Sequence, residues 1–291
     1  MTFKDNKLQE KILADFPEIF DLTGQLKKAA NSLLRDFNSR NIKLIELAPS
    51  KRLILFFTAK TIKTYSAILI LCREGYGQDS YALLRGFLET LVSVKYIFSE
   101  TTSADEKAVR FVEYKWVILK RYLQEHEEET LILDKFNEFK AKYNIISDKA
   151  LISWSGKSVR DMAKHNGVNL LDEYDSGFRF YSRFSHPSII GDKEYLRYEN
   201  DVLRFSFFLD SSGIILSLKK AAAYLMEFLS VFNKSFDMQF DAQLLNLRSD
   251  MDKIFQMDKY SEQKNIGNPS DNLSKEKTSL VSVQFDIPLE E

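Results

Sequence analysis

Apolar residues recur at three- and four-residue intervals along most of the chain, which is the spacing of an amphipathic helix. Residues 5–47 follow this pattern with a break near Pro17. Residues 52–73 and 78–99 are apolar on most sides, so we expect these two helices at the centre of a bundle. Five more helices are predicted over residues 104–126, 130–143, 170–186, 194–235 and 240–259.

The composition favours an all-α fold over an all-β one. The 291 residues include only 10 Gly and 5 Pro, whereas a sandwich or barrel needs closely spaced turns. The 23 Phe residues supply apolar material for a substantial core. We therefore predict a multi-helix bundle over residues 51–259, preceded by an N-terminal helical extension over residues 1–50.

The C-terminal segment differs from the rest of the chain. Residues 260–291 are polar at first, which predicts a flexible tail. Apolar and polar residues then alternate over residues 281–287, as they do in a strand. This alternation fits either a disordered end or a strand that joins the sheet edge of a protein partner or a second protomer.

Charge and cysteine content exclude several classes of protein. Lys and Arg number 41 against 42 Asp and Glu, so the chain does not look like a general nucleic-acid binder, although a local basic site is compatible with these numbers. Cys72 is the only cysteine and there are three His, so neither a disulfide nor a His/Cys metal site is expected. With no apolar leader or membrane span in the sequence, we predict a cytoplasmic protein without cofactor or membrane contact.

Residues 172–188 carry the first candidate site. On a helical wheel, aromatic residues occupy one side and polar residues share a sector of about 120°. This stripe is either an ordinary solvent-facing surface or a site for recognising a ligand. The polar positions are Asp172, Asp175, Ser176, Arg179, Ser182, Arg183 and His186.

Three of these residues suit phosphodiester chemistry. Arg179 and His186 lie two turns apart, with Ser182 between them. An arginine can hold a phosphate through two hydrogen bonds, and a histidine can exchange a proton with the attacking or leaving oxygen. Because Pro187 follows His186, the histidine is expected at a helix end, where the backbone dipole favours the imidazolium and raises its pKa.

A second candidate pair is Arg85 and Glu89, which lie one turn apart within an apolar stripe. Isolated charges are costly to bury, so the two side chains should interact. They form either an intrahelical ion pair that fixes the packing of the bundle, or part of the same polar pocket as Arg179 and His186.

Three segments resemble the bacterial domain-of-unknown-function family five-six-seven-seven. They are DSYALLRGFLE at residues 79–89, Trp154, and FRFYSRFSHPS at residues 178–188, and the resemblance extends over roughly residues 60–225. Members of the family share an Arg-x-x-x-Glu helix, to which Arg85 and Glu89 correspond. A later Tyr-Arg-x-x-Ser-x-x-x-His line corresponds to Arg179, Ser182 and His186, with Phe178 standing where Tyr is common.

The arrangement is more distantly similar to HEPN domains, which are helical bundles and often dimers. Their ribonuclease members have an arginine followed after four to six residues by a histidine, and Arg179 and His186 fit the longest of these spacings. The similarity implies a homodimeric, metal-independent endoribonuclease that cleaves RNA, as toxins and antiphage effectors do. Arg179 would bind the scissile phosphate, His186 would act as acid or base, and Ser182 would orient the substrate or the histidine. Asp175 or Glu89 would position Arg179.

Two other hypotheses stay open. The same polar line could bind a nucleotide or a protein in a non-catalytic helical module of a defence or signalling system, with residues 260–291 holding the partner. Alternatively, Arg85, Glu89 and His186 could be buried polar groups with only a structural role.

Overall fold

The structure, a computed structural model, describes residues 6–122, 129–147, 151–185, 196–199, 202–205 and 211–256. Two features of the sequence analysis, His186 and the tail with its alternating segment 281–287, lie outside the described residues. The elements are α1 (Asn6–Asp15), α2 (Pro17–Ser39), α3 (Pro49–Arg73), α4 (Ser80–Ile97), α5 (Ala104–Glu113), α6 (Lys115–Tyr122), α7 (Glu129–Lys142), α8 (Val159–Lys164), α9 (Leu171–Glu173), a π-helical turn (Tyr174–Phe178), α10 (Arg179–Ser185), β1 (Leu196–Glu199), β2 (Val202–Phe205), α11 (Ile214–Phe236) and α12 (Asp241–Gln256).

The predicted all-α bundle is confirmed. The long helix α11 packs against α3 and α4, and α4 also packs against α10. Most of the aromatic side chains in the described part of the chain lie in this core or pack against it. Helices α1 and α2 contribute to the same hydrophobic cluster as α3. The largest fully buried side chains include Tyr65, Tyr81, Tyr181, Phe87, Phe228 and Phe232.

Local residues set several helix boundaries. Pro17 stands in the first turn of α2 and Pro49 in the first turn of α3, where the missing N–H of proline costs no helical hydrogen bond. At the end of α3, Gly75 has φ 89°, and the N–H of Tyr76 bonds the carbonyl of Leu71 at 2.8 Å. This is a Schellman motif, which needs the left-handed backbone that glycine readily adopts.

The apolar helix α3 meets the length and composition criteria for a membrane span. Its mean hydropathy reaches 1.5, and 44% of the apolar window is buried inside the protein. Core helices of soluble bundles meet the same criteria, so this measure does not assign α3 to a membrane. The absence of membrane contact therefore stays a prediction.

The prediction of one helix over 194–235 is wrong in its first half. β1 and β2 pair in antiparallel fashion, with Leu196 opposite Phe205 and Glu199 opposite Val202. The intervening Asn200-Asp201 is a dipeptide that favours tight turns. Apolar spacing alone could not separate this hairpin from a helix, because strand pairing depends on the partner strand.

Gly213 lies within the predicted helix 194–235, but in the structure it precedes the first residue of α11. Its φ of 73° lies in the left-handed region, which glycine adopts without steric cost. A Cβ at this position would lie 2.7 Å from the Tyr81 hydroxyl oxygen and 3.0 Å from the Gln78 amide nitrogen. Gly213 therefore also permits the close approach of α11 to the start of α4.

The N-terminus of α3 is capped by a residue from another helix. Ala48, at the N-cap, has no side chain that could accept a hydrogen bond, and the first-turn Ser50 donates both its backbone N–H and its hydroxyl to Asp105 of α5, at 2.9 and 2.6 Å. These bonds hold the pKa of Asp105 below its usual range. Asp105 thus joins α3 to α5.

We expect Asp105→Ala to lower the free energy of unfolding by about 1 kcal/mol at pH 7, as the loss of an N-cap does. Glu106→Ala is the matched control, because Glu106 is an exposed acid in the same first turn of α5. Since the folded-state pKa of Asp105 is depressed, its contribution is complete above the unfolded-state pKa of about 4 and is lost as the pH falls through the lower folded value. Urea unfolding at several pH values measures both effects, and equal losses in the two variants would contradict the cap.

Candidate functional site

The helix predicted over 170–186 contains a π-helical turn in its middle. Tyr174–Phe178 forms this turn, between the single turn of α9 and the short helix α10. Gly177 is buried there, and a Cβ at this position would lie 3.1 Å from Tyr181 and 3.2 Å from the Glu173 carboxylate. The 100° spacing of the helical wheel does not hold across a π turn, so the predicted polar sector is not one continuous stripe. Such turns occur frequently at functional sites.

Asp175 is paired with an arginine that the sequence analysis did not consider. Its two carboxylate oxygens accept hydrogen bonds from Nε and Nη2 of Arg160, each at 2.7 Å. The bonds from Arg160 lower the pKa of Asp175, with a smaller contribution from the charge of Arg179. The expected pairing of Asp175 with Arg179 is therefore replaced by a bidentate pair with Arg160.

Three further predicted residues of this segment, Arg179, Ser182 and Arg183, lie on α10. Arg179 is exposed at the first position of α10, and Arg183 is half-buried one turn later. The half-buried Ser182 donates its hydroxyl to the Phe178 carbonyl at 2.7 Å. His186 follows the last residue of α10 in the sequence and lies outside the described residues.

Arg85 and Glu89 form the ion pair that their spacing predicted. Arg85 Nε lies 3.7 Å from Glu89 Oε1, and neither side chain is fully buried. The Arg85 guanidinium also lies over the Phe178 ring, 4.7 Å from its centroid, and Phe178 stacks on Tyr174 at 4.6 Å. The structure thus brings this pair beside the π turn, next to the residue that precedes Arg179.

The charges at this contact affect one another. Partial burial raises the pKa of Glu89, against the opposing effects of Arg85 and Lys60. Burial also raises the pKa of Tyr174, and the negative charge of Glu89 adds to this effect. Lys60 of α3, which the sequence analysis did not select, is therefore part of the same electrostatic environment.

A polar network that was not predicted from the sequence lies behind the π turn. Glu173 accepts a hydrogen bond from Lys220 at 2.5 Å and another from the Tyr224 hydroxyl. The hydroxyls of Tyr224 and Tyr181 are 3.3 Å apart, and burial raises the pKa of both phenols. Lys220 and Tyr224 lie one turn apart in the apolar α11, and this spacing is the signal that could have identified them.

We expect Tyr224→Phe to lower the free energy of unfolding by about 2 kcal/mol, because it removes the hydrogen bond that the buried Tyr224 hydroxyl donates to the charged carboxylate of Glu173. Tyr65→Phe is a matched control, since Tyr65 is equally buried but donates to the neutral Thr23 carbonyl. Its loss should be about 1 kcal/mol. Denaturant unfolding of both variants measures the difference, and a smaller loss for Tyr224→Phe would contradict the network.

The described residues contain no group of three or more His, Cys, Asp or Glu side chains that could hold a metal ion. The polar side chains at the π turn are those of Arg85, Arg160, Arg179, Glu89, Asp175 and Ser182. Among these groups, the guanidiniums and the hydroxyl can bind a phosphate by donating hydrogen bonds to its oxygens.

The fold and this site define a helical-bundle protein, with one two-stranded hairpin, in which an arginine-bearing helix lies beside a π turn. The sequence pattern of the family of unknown function DUF5677 matches residues 51–202, just over half of the chain, and the chain belongs to this family. The match includes both residue sets, from Arg85 and Glu89 to Arg179, Ser182 and His186. Searches of curated proteins and of solved structures gave no match. Similarity to HEPN domains stays a prediction.

Proposed function

We propose that the protein is a metal-independent endoribonuclease that uses Arg179 and His186. One observation carries this proposal. Arg179 is exposed on the first turn of α10, while Asp175, the acid whose pKa it influences, is held by Arg160. Within the described ranges Arg179 has no ion pair, so its guanidinium is available to a phosphate.

The proposed reaction is an internal transesterification of RNA. The 2′-oxygen attacks the adjacent phosphorus, and the bond from phosphorus to the 5′-oxygen breaks. The proton of the 2′-hydroxyl leaves and the 5′-oxygen gains a proton, with His186 serving as the acid or base. The products are a 2′,3′-cyclic phosphate and a 5′-hydroxyl, and Arg179 stabilises the negative charge on the phosphate.

The neighbouring residues have supporting roles in this proposal. The Ser182 hydroxyl is donated to the Phe178 carbonyl, so Ser182 acts by accepting a hydrogen bond from RNA or from His186. Arg183, one turn after Arg179, can contact a second phosphate. A cytoplasmic toxin or antiphage effector that acts as a homodimer is the biological role we associate with such an enzyme.

The test is cleavage of labelled single-stranded RNA by the purified full-length protein in excess EDTA. We expect fragments with 2′,3′-cyclic phosphate and 5′-hydroxyl ends. Absence of cleavage, or fragments with 3′-hydroxyl and 5′-phosphate ends, would contradict the proposed reaction.

A second candidate is a non-catalytic module that binds RNA, a nucleotide or a protein. The observation that favours it is that two of the predicted site residues already have partners within the chain: Asp175 binds Arg160 and Ser182 binds the Phe178 carbonyl. Retention of RNA without cleavage would support this function. Capture of a protein partner that depends on residues 260–291 would support it as well.

A further inference from the structure

A cleft of about 690 Å³ opens on a different part of the bundle, where the first turn of α3, the start of α5 and the last turns of α11 meet. Three lysines line it: Lys51 of α3, Lys95 of α4 and Lys234 of α11. Two carboxylates, Asp105 and Glu227, line it as well. Three positive and two negative side chains give the described lining a net charge of +1.

Both carboxylates are already engaged. Asp105 accepts two hydrogen bonds from Ser50, as described above for the cap of α3. Glu227 accepts one hydrogen bond from Lys95 at 3.0 Å and another from Arg248 of α12 at 2.6 Å. Glu227 therefore faces two cations, Lys95 and Arg248, with a single negative charge. The bonds from Ser50 and, more weakly, the positive charge of Lys51 lower the pKa of Asp105, but in the described part of the chain Asp105 forms no ion pair with that lysine.

Lys51 and Lys234 are both exposed at the edge of the cleft. Lys51 Nζ lies 5.8 Å from the centroid of the Phe236 ring. Phe236 is the last residue of α11 and follows Lys234 closely in the sequence, so Lys51 lies at the same end of α11 as Lys234. The carbonyls of Phe236 and Asp237 at this end already accept hydrogen bonds from Arg40. Across the described parts of the chain neither lysine forms an ion pair, so the cleft keeps unbalanced positive charge.

The rest of the cleft is suited to an organic group. Phe98 and Val231 provide an apolar wall, and Thr101 and Ser230 place hydroxyls beside it. Ligand pockets of about 300–1,000 Å³ hold small organic molecules, with few polar groups to fix their orientation. An inorganic ion alone would leave most of this space and the apolar wall unused.

We propose that the cleft binds a small organic phosphate of about the size of a nucleoside monophosphate. Lys51 and Lys234 hold the phosphate, and the wall formed by Phe98 and Val231 packs against the organic part. The lysines, rather than the N-terminus of α3, recognise the anion, because Asp105 already occupies that helix end. The site is separate from the RNA-cleaving site proposed at α10 and does not depend on it.

Isothermal titration calorimetry on the full-length protein tests this site. The probes are adenosine and uridine 5′-monophosphates, the two nucleosides without phosphate, and inorganic phosphate. We expect at least one monophosphate to bind, and to bind more tightly than its nucleoside or inorganic phosphate. The double substitution Lys51→Ala/Lys234→Ala should weaken this binding at least about tenfold, since it removes both charged contacts.

The double substitution Lys7→Ala/Lys28→Ala is the matched control, because both lysines are exposed and neither lines the cleft. It should change the affinity less than about twofold. Thermal melting verifies that each variant is folded. Failure of both monophosphates to bind would overturn the proposal. So would equal binding of inorganic phosphate, or an equal loss of affinity in the two double variants.

Discussion

His186→Ala is expected to slow RNA cleavage in EDTA by about 10²–10⁴-fold, the usual contribution of a general acid or base. The rate falls because the variant lacks the imidazole that exchanges a proton with the attacking or leaving oxygen. His165 is the matched control: its ring packs against Tyr96 with centroids 5.0 Å apart, and it lies within 3.8 Å of Glu100. His165→Ala should cleave at nearly the wild-type rate, whereas activity that survives His186→Ala would contradict the proposed function.

The pairing of Asp175 provides a sharper test of the same site. Arg160→Ala leaves Asp175 without its bidentate partner, so Asp175 should then pair with Arg179 and withdraw it from the phosphate. Cleavage should slow, and adding Asp175→Ala to that variant should restore it. If the double variant is as slow as Arg160→Ala, then Arg160 itself contacts RNA and the positioning argument is wrong.

Gly77→Ala is expected to lower the free energy of unfolding by about 3 kcal/mol, at the upper end of the usual cost of overpacking. A Cβ on Gly77 would overlap the Ser212 carbonyl oxygen and lie 2.6 Å from the Ile214 amide nitrogen, both of which are backbone atoms. The Gly77 carbonyl is also fixed, because it accepts the hydroxyls of Ser80 and Ser217 at 2.6 and 2.8 Å. Neither chain segment can move away without breaking these bonds.

Gly86→Ala is the control for this prediction. A Cβ on Gly86 would meet no atom within 4 Å, and the residue lies inside α4, so alanine should stabilise the helix by up to about 1 kcal/mol. The two substitutions are chemically identical and should have opposite signs in urea unfolding. A destabilisation of similar size in both variants would mean that the contact between Gly77 and the start of α11 is not the cause of the stability lost in Gly77→Ala.

Features that depend on neighbouring residues could be predicted from the sequence. The break at Pro17 and the helix end at Gly75 follow from the backbone angles of those two residues. The ion pair between Arg85 and Glu89 follows from the fixed geometry of one helical turn. The apolar periodicity of α3 and α4 likewise indicated their central place in the bundle.

Features that depend on contacts between distant residues could not be predicted from the sequence. The partner of Asp175 is Arg160, and the partners of Glu173 are Lys220 and Tyr224 of α11, contacts that exist only once the helices have packed. The π turn accompanies close packing around Gly177, which no helical wheel represents.

The sequence alone therefore determined an all-helical bundle and the residue types available for phosphate chemistry, since both follow from composition and local spacing. Only the tertiary structure decided how those residues are used. It pairs Asp175 with Arg160, leaves Arg179 exposed, and joins α3, α5 and α11 around a lysine-lined cleft. The physical reason is that ion pairing and burial depend on which groups meet in space, whatever their separation along the chain.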